Sequence, residues 1–221
     1  MIGGAVGEVV SAVIPGQRID RIASYLAKLA ARVDTMDDEL QRRILSDKSR
    51  VDLIEEGGFQ AARALSDSRI DRIVDVVVRG LSAHDVDAVR RSRLLKLLGD
   101  LDDDEVMILN AYGRSMGRHD RNAWDLIDRP DSPQLGSSVA QLDDSALYEA
   151  GNAHLLRLGL LQRQYPGLKR GALPEFDPQT GDFKFQVSVS YLGRVFLREI
   201  GLAAPVDEHK LSRKPPSSSK P

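Results

Sequence analysis

The stretch Arg18-Ile19-Asp20-Arg21-Ile22 recurs as Arg69-Ile70-Asp71-Arg72-Ile73, and each copy opens a run of apolar residues. Apolar positions follow at steps of three and four in both copies, at Ile19, Ile22, Leu26, Leu29 and Val33 and at Ile70, Ile73, Val77 and Leu81. This spacing draws a stripe along one face of an amphipathic helix. The sequence therefore predicts two similar core helices with charged rims, in which Ile22→Asp and Ile73→Asp destabilise the fold alike. A binding surface for an acidic partner is the alternative.

Length and composition favour a soluble globular protein. A chain of 221 residues has room for one large or two small domains. Its 31 Lys and Arg residues nearly balance 33 Asp and Glu residues, so only local patches can indicate nucleic-acid binding. The absence of cysteine excludes disulfides, thiolate metal sites and a cysteine nucleophile. The predicted location is the cytoplasm.

Residues 1–14 form an apolar segment interrupted only by Glu8 and Ser11. The segment lacks the basic start and the cleavage site of a signal peptide. It is also shorter than the roughly 20 apolar residues of a transmembrane helix, and Pro15-Gly16 is expected to end it. Small residues stand at four-residue steps, at Gly3, Gly7 and Ser11, which permits close approach of another helix. We expect a helix docked on the protein's own core, with peripheral membrane contact or self-association as alternatives.

The region up to residue 101 is predicted to be a helical bundle. One amphipathic helix is expected through Met36, Leu40, Ile44, Val51 and Ile54, with Gly57-Gly58 as its stop. Capping signals then predict further helix starts at Ser68, Ser82 and Asp102. A long connection is expected at residues 115–143, which are rich in Gly, Pro, Ser and Asp. A connection of that length is uncommon in a compact domain unless it is functional or contains a short helix, so one is predicted at residues 122–127, around Trp124.

The C-terminal half has a recognisable order of elements. Asp143 is predicted to cap a helix at residues 146–158, which Leu158-Gly159-Leu160 follows. A Pro- and Gly-rich excursion then leads to a strand, indicated by alternation of Phe183, Phe185, Val187 and Val189. A terminal helix begins with Tyr191-Leu192-Gly193-Arg194-Val195-Phe196-Leu197.

This order resembles a winged helix-turn-helix domain. The motifs that carry the resemblance are His154-Leu155-Leu156-Arg157-Leu158-Gly159-Leu160 before the wing and the Tyr191 to Leu197 motif after it. The second helix of the superfamily pattern is not evident before residue 143, and the wing is unusually long. The fold class is therefore predicted as mainly α: a helical bundle at residues 1–101, a winged-helix-like α+β domain at 102–204, and a disordered tail at 205–221.

The resemblance implies that the helix before the wing would face DNA, if DNA is bound. Base contacts would come from Asn152, His154 and Arg157, although Asp143, Asp144 and Glu149 make this helix acidic. Phosphate contacts would come from the basic residues of the wing, Arg157, Arg163, Lys169, Arg170 and Lys184. Winged helices also serve as protein-interaction modules, and fold does not settle function.

A search for catalytic and metal-binding patterns gives none. The four histidines are not at metal-ligand spacing and are expected at the surface or at caps: His84, His119, His154 and His209. Asp100, Asp102 and Asp104 begin like a calcium loop, but Glu105 stands where that loop needs glycine. Ser82, His84 and Asp85 share one helix start and cannot adopt triad geometry. We predict no catalytic residue, no metal and no cofactor.

Over residues 17–202 the chain resembles uncharacterised bacterial proteins of the Abi-alpha type, which are associated with prophages and phage defence. The resemblance rests on the N-terminal helices, on Asp104-Glu105-Val106-Met107-Ile108-Leu109 and on the winged-helix-like end. It implies an accessory role and transfers no catalytic residue. The predicted function is a non-enzymatic interaction protein with a protein partner or self-association, and the alternative is a DNA-binding regulator that contacts phosphates through the wing.

Overall fold

The computed structural model describes residues 3–83, 85–115, 123–127, 129–165, 167, 171–178 and 181–202. This part of the chain is mainly α-helical, with two short antiparallel strand pairs near its C-terminal end. The chain forms two compact units. Unit 1 runs to Asp102 and includes Glu199–Gly201, and unit 2 comprises Asp103–Arg198 together with Leu202. The predicted tail at residues 205–221 lies outside the described residues.

Unit 1 is built around one central helix. Its helices are α1 (Gly3–Val33), α2 (Asp38–Ser46), α3 (Lys48–Ala61), α4 (Asp67–Leu81) and α5 (Asp85–Asp100). Helix α4 contacts α1, α3 and α5. It buries the whole stripe predicted from the second pentapeptide, namely Ile70, Ile73, Val77 and Leu81. The prediction of a core helix is confirmed for this copy.

The first copy is oriented differently, and its predicted stripe is only partly buried: Leu29 is buried, while Ile22 and Val33 are half-buried. Ile19 is 64% exposed and Leu26 is 48% exposed. The buried face of α1 runs through Leu29, which belongs to the predicted stripe, and through Tyr25, which does not. The Tyr25 hydroxyl donates to the Ile54 carbonyl at 3.0 Å, and burial raises its pKa strongly. An inward-facing tyrosine with a backbone partner thus displaces the Ile19 and Leu26 side chains towards solvent.

Ion pairs reinforce this orientation of α1. Lys28 lies 2.6 Å from Asp71, and Arg32 lies 3.0 Å from Asp75. Both pairs join the basic edge of α1 to α4. Since the side chains are partly exposed, each pair is expected to contribute only about 0.2–1 kcal/mol, and their main effect is on which face of α1 meets α4.

Two predicted helix stops are wrong. Helix α1 continues through Pro15-Gly16 and α3 continues through Gly57-Gly58. In α3 the reason is close packing, because a Cβ on Gly57 would collide with the Tyr25 hydroxyl and with Val77. Pro15 removes one backbone donor from α1, and the helix extends on both sides of it. None of the helices in the described part of the chain is long and apolar enough to cross a membrane.

A helix boundary between Met36 and Ile54 was not predicted. The structure has two helices where the sequence predicts one, because Asp47 adopts an extended conformation between them and caps α3 by accepting the Ser49 N–H at 2.9 Å. Helix α4 likewise begins earlier than predicted. Its cap is Ser66, whose hydroxyl accepts the Arg69 N–H at 3.2 Å, and Ser68 lies inside the helix.

Unit 2 combines three helices with nested hairpins. Its elements are α6 (Asp103–Ser115), a 3-10 helix (Ala123–Leu126), α7 (Val139–Arg157), β1 (Leu161–Gln164), β2 (Phe176–Asp177), β3 (Asp182–Phe183), β4 (Gln186–Val189) and α8 (Tyr191–Glu199). Strand β1 pairs with β4, with Leu161 opposite Val189, and β2 pairs with β3. The core contains Val106, Leu109, Leu155, Leu160, Phe196 and Leu197.

The connection predicted at residues 115–143 is shorter than expected, because α7 already begins at Val139. The short helix predicted around Trp124 is confirmed as the 3-10 helix. Trp124 meets the Tyr112 ring edge to face, with centroids 4.8 Å apart. The predicted strand is interrupted, since β3 ends at Phe183 and β4 begins at Gln186.

Candidate functional site

Helix α7 carries the residues predicted to contact a partner, and its start is set by a capping box. The Ser138 hydroxyl accepts the Gln141 N–H at 3.3 Å, and the Gln141 side chain accepts the Ser138 N–H at 2.9 Å. These two bonds satisfy donors that the first turn leaves free. The start predicted at Asp143 is therefore wrong, and α7 is longer and more exposed than the sequence indicated.

The end of α7 and the start of α8 meet at the base of the outer hairpin, which strands β1 and β4 form. Gly159 has a φ of 72°, which lets the Leu160 N–H bond the Leu155 carbonyl at 3.0 Å. Ser190 then donates its N–H to the Leu160 carbonyl at 2.9 Å and its hydroxyl to the Gly159 carbonyl at 2.5 Å. Gly193 lies against the Leu160 carbonyl, where a Cβ has no room. The two motifs singled out in the sequence thus form one junction.

His154 is directed into unit 2 and is not free to read bases. Its Nδ1 lies 2.6 Å from Oε1 of Glu105 on α6. Glu105 is buried, and His154 is half-buried. A buried carboxylate needs a partner, so the imidazole links α7 to α6. The expectation of a surface or capping histidine is wrong for His154, while His84, His119 and His209 lie outside the described residues.

Asn152 is also turned inwards. Its amide donates to the Tyr148 carbonyl at 3.0 Å, and its Oδ1 is buried without a partner within the described residues. The Tyr148 hydroxyl is likewise buried, with no hydrogen bond of normal geometry in the same part of the chain. On α6, burial raises the pKa of Tyr112 to about 12, and the adjacent Tyr148 adds to the shift. This side of α7 is the packed side.

Arg129 completes the aromatic cluster beside α7. Its guanidinium carbon lies 5.3 Å from the Trp124 ring centroid and 6.0 Å from that of Tyr148. Both distances are within the range of a cation–π contact. An aromatic cluster of this kind can bind a cationic ligand, but here the protein's own arginine takes that place.

The basic residues of the hairpin are partly neutralised by the hairpin's own acids. Arg163 lies 2.9 Å from Asp182 and its guanidinium stacks 4.3 Å from the Phe185 centroid. Lys184 lies 2.5 Å from Glu175, and the hydrogen bond with this carboxylate raises the pKa of Lys184. Phosphate binding at either cation would have to compete with an existing partner.

Arg157 differs from these two cations. It is exposed at the C-terminal end of α7 and has no ion-pair partner in the described residues. Lys169 and Arg170 lie outside the described residues. Of the predicted nucleic-acid contacts, the structure therefore offers one free cation on α7, two paired cations on the hairpin and two inward-facing polar side chains.

The outer face of α7 is the feature that the sequence analysis missed. Val139 is 74% exposed and Leu147 is 72% exposed, with Leu142 about half exposed. The same helix also exposes four alanines, at Ala140, Ala146, Ala150 and Ala153. Only Ser145, Gly151 and Leu155 are buried along the helix. The signal was the apolar spacing from Val139 onwards, which the misplaced start at Asp143 concealed.

The rest of the described chain offers no comparable chemistry. Within it, no group of three or more His, Cys, Asp or Glu side chains could hold a metal ion. Arg50 and Arg69, which are buried, donate to backbone carbonyls near the ends of α4 and α5, including those of Leu81 and Leu98. These guanidinium groups stabilise helix ends. Comparison with protein-family models, with curated proteins and with solved structures gives no match.

Proposed function

We propose that this chain is a non-enzymatic protein-interaction protein, and that unit 2 is a winged-helix-like module whose docking surface is the outer face of α7. The observation that supports this proposal is the exposure of Val139, Leu142 and Leu147 along α7, together with exposed alanines in the directions between these side chains around the helix. Isolated exposed apolar residues are ordinary, but a contiguous apolar face is typical of protein-binding surfaces.

The winged-helix description is supported by the order of elements. Helix α7, strand β1, the inner β2–β3 hairpin, strand β4 and α8 follow one another, which is the order that the resemblance to that superfamily implies. The junction at Gly159 and Ser190 holds the hairpin against both helices. In this interpretation α7 is the helix before the wing, and its outer face occupies the place where DNA-binding relatives contact the major groove.

The chemistry of that face favours a protein over DNA. Its apolar side chains are accompanied by Asp143, Asp144 and Glu149, all exposed. Carboxylates beside a phosphate backbone are repulsive, and specific DNA-binding surfaces are strongly positive. The resemblance to Abi-alpha-type proteins adds phage defence as the proposed setting for the interaction.

Photo-crosslinking tests the proposal directly. A photoreactive amino acid replaces Leu147 on α7 or, as the matched control, Leu173, a leucine between β1 and β2 that is also largely exposed. We expect protein adducts from position 147 in the native host and few from position 173. Absence of protein adducts at 147, or nucleic-acid adducts at 173 as the main product, would contradict a protein-docking role for α7.

DNA binding remains the second candidate because Arg157 is exposed and has no ion-pair partner in the described residues. If it holds a phosphate, Arg157→Ala reduces the slope of binding affinity against salt by about one unit. Arg163→Ala is the matched control, since this arginine already pairs with Asp182. No duplex binding by the wild-type protein at low salt would remove this candidate.

A further inference from the structure

The outer face of α7 has the residue spacing of a seam between two helices. Positions that step by three and four run from the first to the last residue of the helix: Val139, Asp143, Ala146, Ala150, Ala153 and Arg157. This is the heptad spacing that keeps one stripe facing a partner helix. All of these residues are exposed, so the seam is available on the surface of the protein.

The middle of the seam is suited to close approach. Ala146, Ala150 and Ala153 carry only a methyl group, so the backbone of a second helix can come near. Leu142 and Leu147 flank the alanines and would cover the edges of the contact. Small residues in the centre with larger apolar residues beside them describe a helical partner better than an extended peptide.

The charges along the seam select both the partner and its direction. Asp143 lies near the N-terminal end and Arg157 at the C-terminal end, equally far from Ala150 along the helix. Neither has an ion-pair partner in the described part of the chain. A second α7 running antiparallel about Ala150 would bring each Asp143 against Arg157 of the second copy. A parallel copy would bring like charges together at both ends.

We propose that α7 pairs antiparallel with α7 of a second copy of this chain, with Ala150 at the two-fold axis. The seam is then an isologous interface, in which one patch is complementary to itself. This inference rests on the proposed function and names the partner. The paired part of the helix, residues 143–157, spans about 22 Å, and a single helix pair buries less than a standard interface. The expected dissociation constant is on the order of micromolar.

Sedimentation equilibrium of the full chain tests the pairing, with two neighbouring aspartates as a matched pair. Asp143→Arg places arginine against Arg157 of the second copy twice, and we expect about tenfold weaker dimerisation. Asp144→Arg introduces the same charge one position away, off the seam, and should leave the dimerisation constant within about twofold. The double variant Asp143→Arg with Arg157→Asp restores opposite charges and should recover the wild-type constant.

The outcomes separate this inference from the function on which it rests. Recovery in the double variant, with Asp144→Arg unchanged, supports antiparallel pairing. A wild-type protein that stays monomeric at concentrations on the order of 100 μM overturns it, as does equal weakening by Asp143→Arg and Asp144→Arg. In either case protein adducts of another mass from position 147 would preserve the docking role of α7 with a different partner. Circular dichroism and thermal melting verify that each variant is folded.

Discussion

Helices α4 and α7 are similar in length but use their apolar side chains in opposite ways. In unit 1, α4 contacts three other helices and buries its stripe, including Ile70 and Ile73. In unit 2, the main neighbours of α7 are α6 and β1, and Leu147 remains exposed. The apolar residues of α4 are needed for folding. Those on the outer face of α7 are not, which leaves them free to meet a partner.

The first pentapeptide extends this comparison. It is identical in sequence to the second, yet Ile19 is 64% exposed where the matching Ile70 is 3% exposed. The local pattern specifies a helix in both places. Which side of that helix is buried depends on neighbours that the pentapeptide does not contain, such as Tyr25 and the ion pairs of Lys28 and Arg32.

The largest expected effect tests burial of the α4 stripe. Ile70→Asp places an unpaired carboxylate in the core and should lower the free energy of unfolding by about 3–5 kcal/mol. Ile19→Asp, at the same position of the other copy, should change it by less than about 0.5 kcal/mol. Chemical denaturation of both variants measures the difference. Similar losses at both positions would mean that α1 also buries its Ile19 face.

The glycine pair in α3 tests the packing around α4 more finely. Gly57→Ala should destabilise the protein by about 1–3 kcal/mol, because its methyl group meets Val77 and the buried Tyr25 ring. Gly58→Ala has its nearest contact at 3.9 Å and should stabilise the helix by up to about 1 kcal/mol. Denaturation curves should therefore shift in opposite directions. A shift in the same direction for both would contradict close packing at Gly57.

The contact between the packed side of α7 and α6 can be tested by measuring how stability depends on pH, because Tyr112 of α6 lies beside Tyr148 of α7. Burial raises the pKa of Tyr112 from 10.0 to about 12, so the folded protein keeps a proton that the unfolded chain releases. The contribution of the buried Tyr112 hydroxyl to the free energy of unfolding is therefore fully present below pH 10.0 and is lost as the pH rises to about 12. Tyr112→Phe should make the alkaline loss of stability shallower. The exposed Tyr191→Phe is the control, and an equal change there would contradict the assignment.

The smallest expected effect on stability lies on the outer face of α7. Leu147→Asp should change the free energy of unfolding by less than about 0.5 kcal/mol, since Leu147 is already in water. Leu155→Asp on the inner face of the same helix should cost about 3–5 kcal/mol, because Leu155 is fully buried. A large loss at Leu147 would mean that this side chain supports the fold instead of a partner.

Local signals in the sequence predicted elements well where short-range physics decides the outcome. The apolar spacing of α4 and the turn at Gly159 each predicted the observed element, and the alternation that ends in Val189 predicted β4 but not the break before it. In other places a local signal gave a wrong prediction. Asp143 resembled a cap because it precedes apolar residues, but the reciprocal bonds of Ser138 and Gln141 begin the helix earlier.

What the sequence could not predict depends on partners distant in the chain. Gly57 resembled a helix stop because the approach of Tyr25 is invisible in local sequence. His154 pairs with Glu105, which lies 49 residues away in the sequence, only once the chain has folded. Part of the candidate site was nevertheless present in the sequence, since the seam of α7 follows from its spacing of three and four.

Because the chain contains no cysteine, disulfide crosslinking through a single introduced cysteine is the most direct test of the proposed pairing of α7. In Ala150→Cys the two thiols lie at the two-fold axis, and mild oxidation should produce a disulfide-linked dimer, since bonded cysteines need Cβ atoms about 3.8 Å apart. Ala140→Cys, also exposed on the same helix but off the seam, should remain largely monomeric. Equal crosslinking at the two positions, or none at position 150 under conditions where the thiol is reactive, would contradict antiparallel pairing through the outer face of α7.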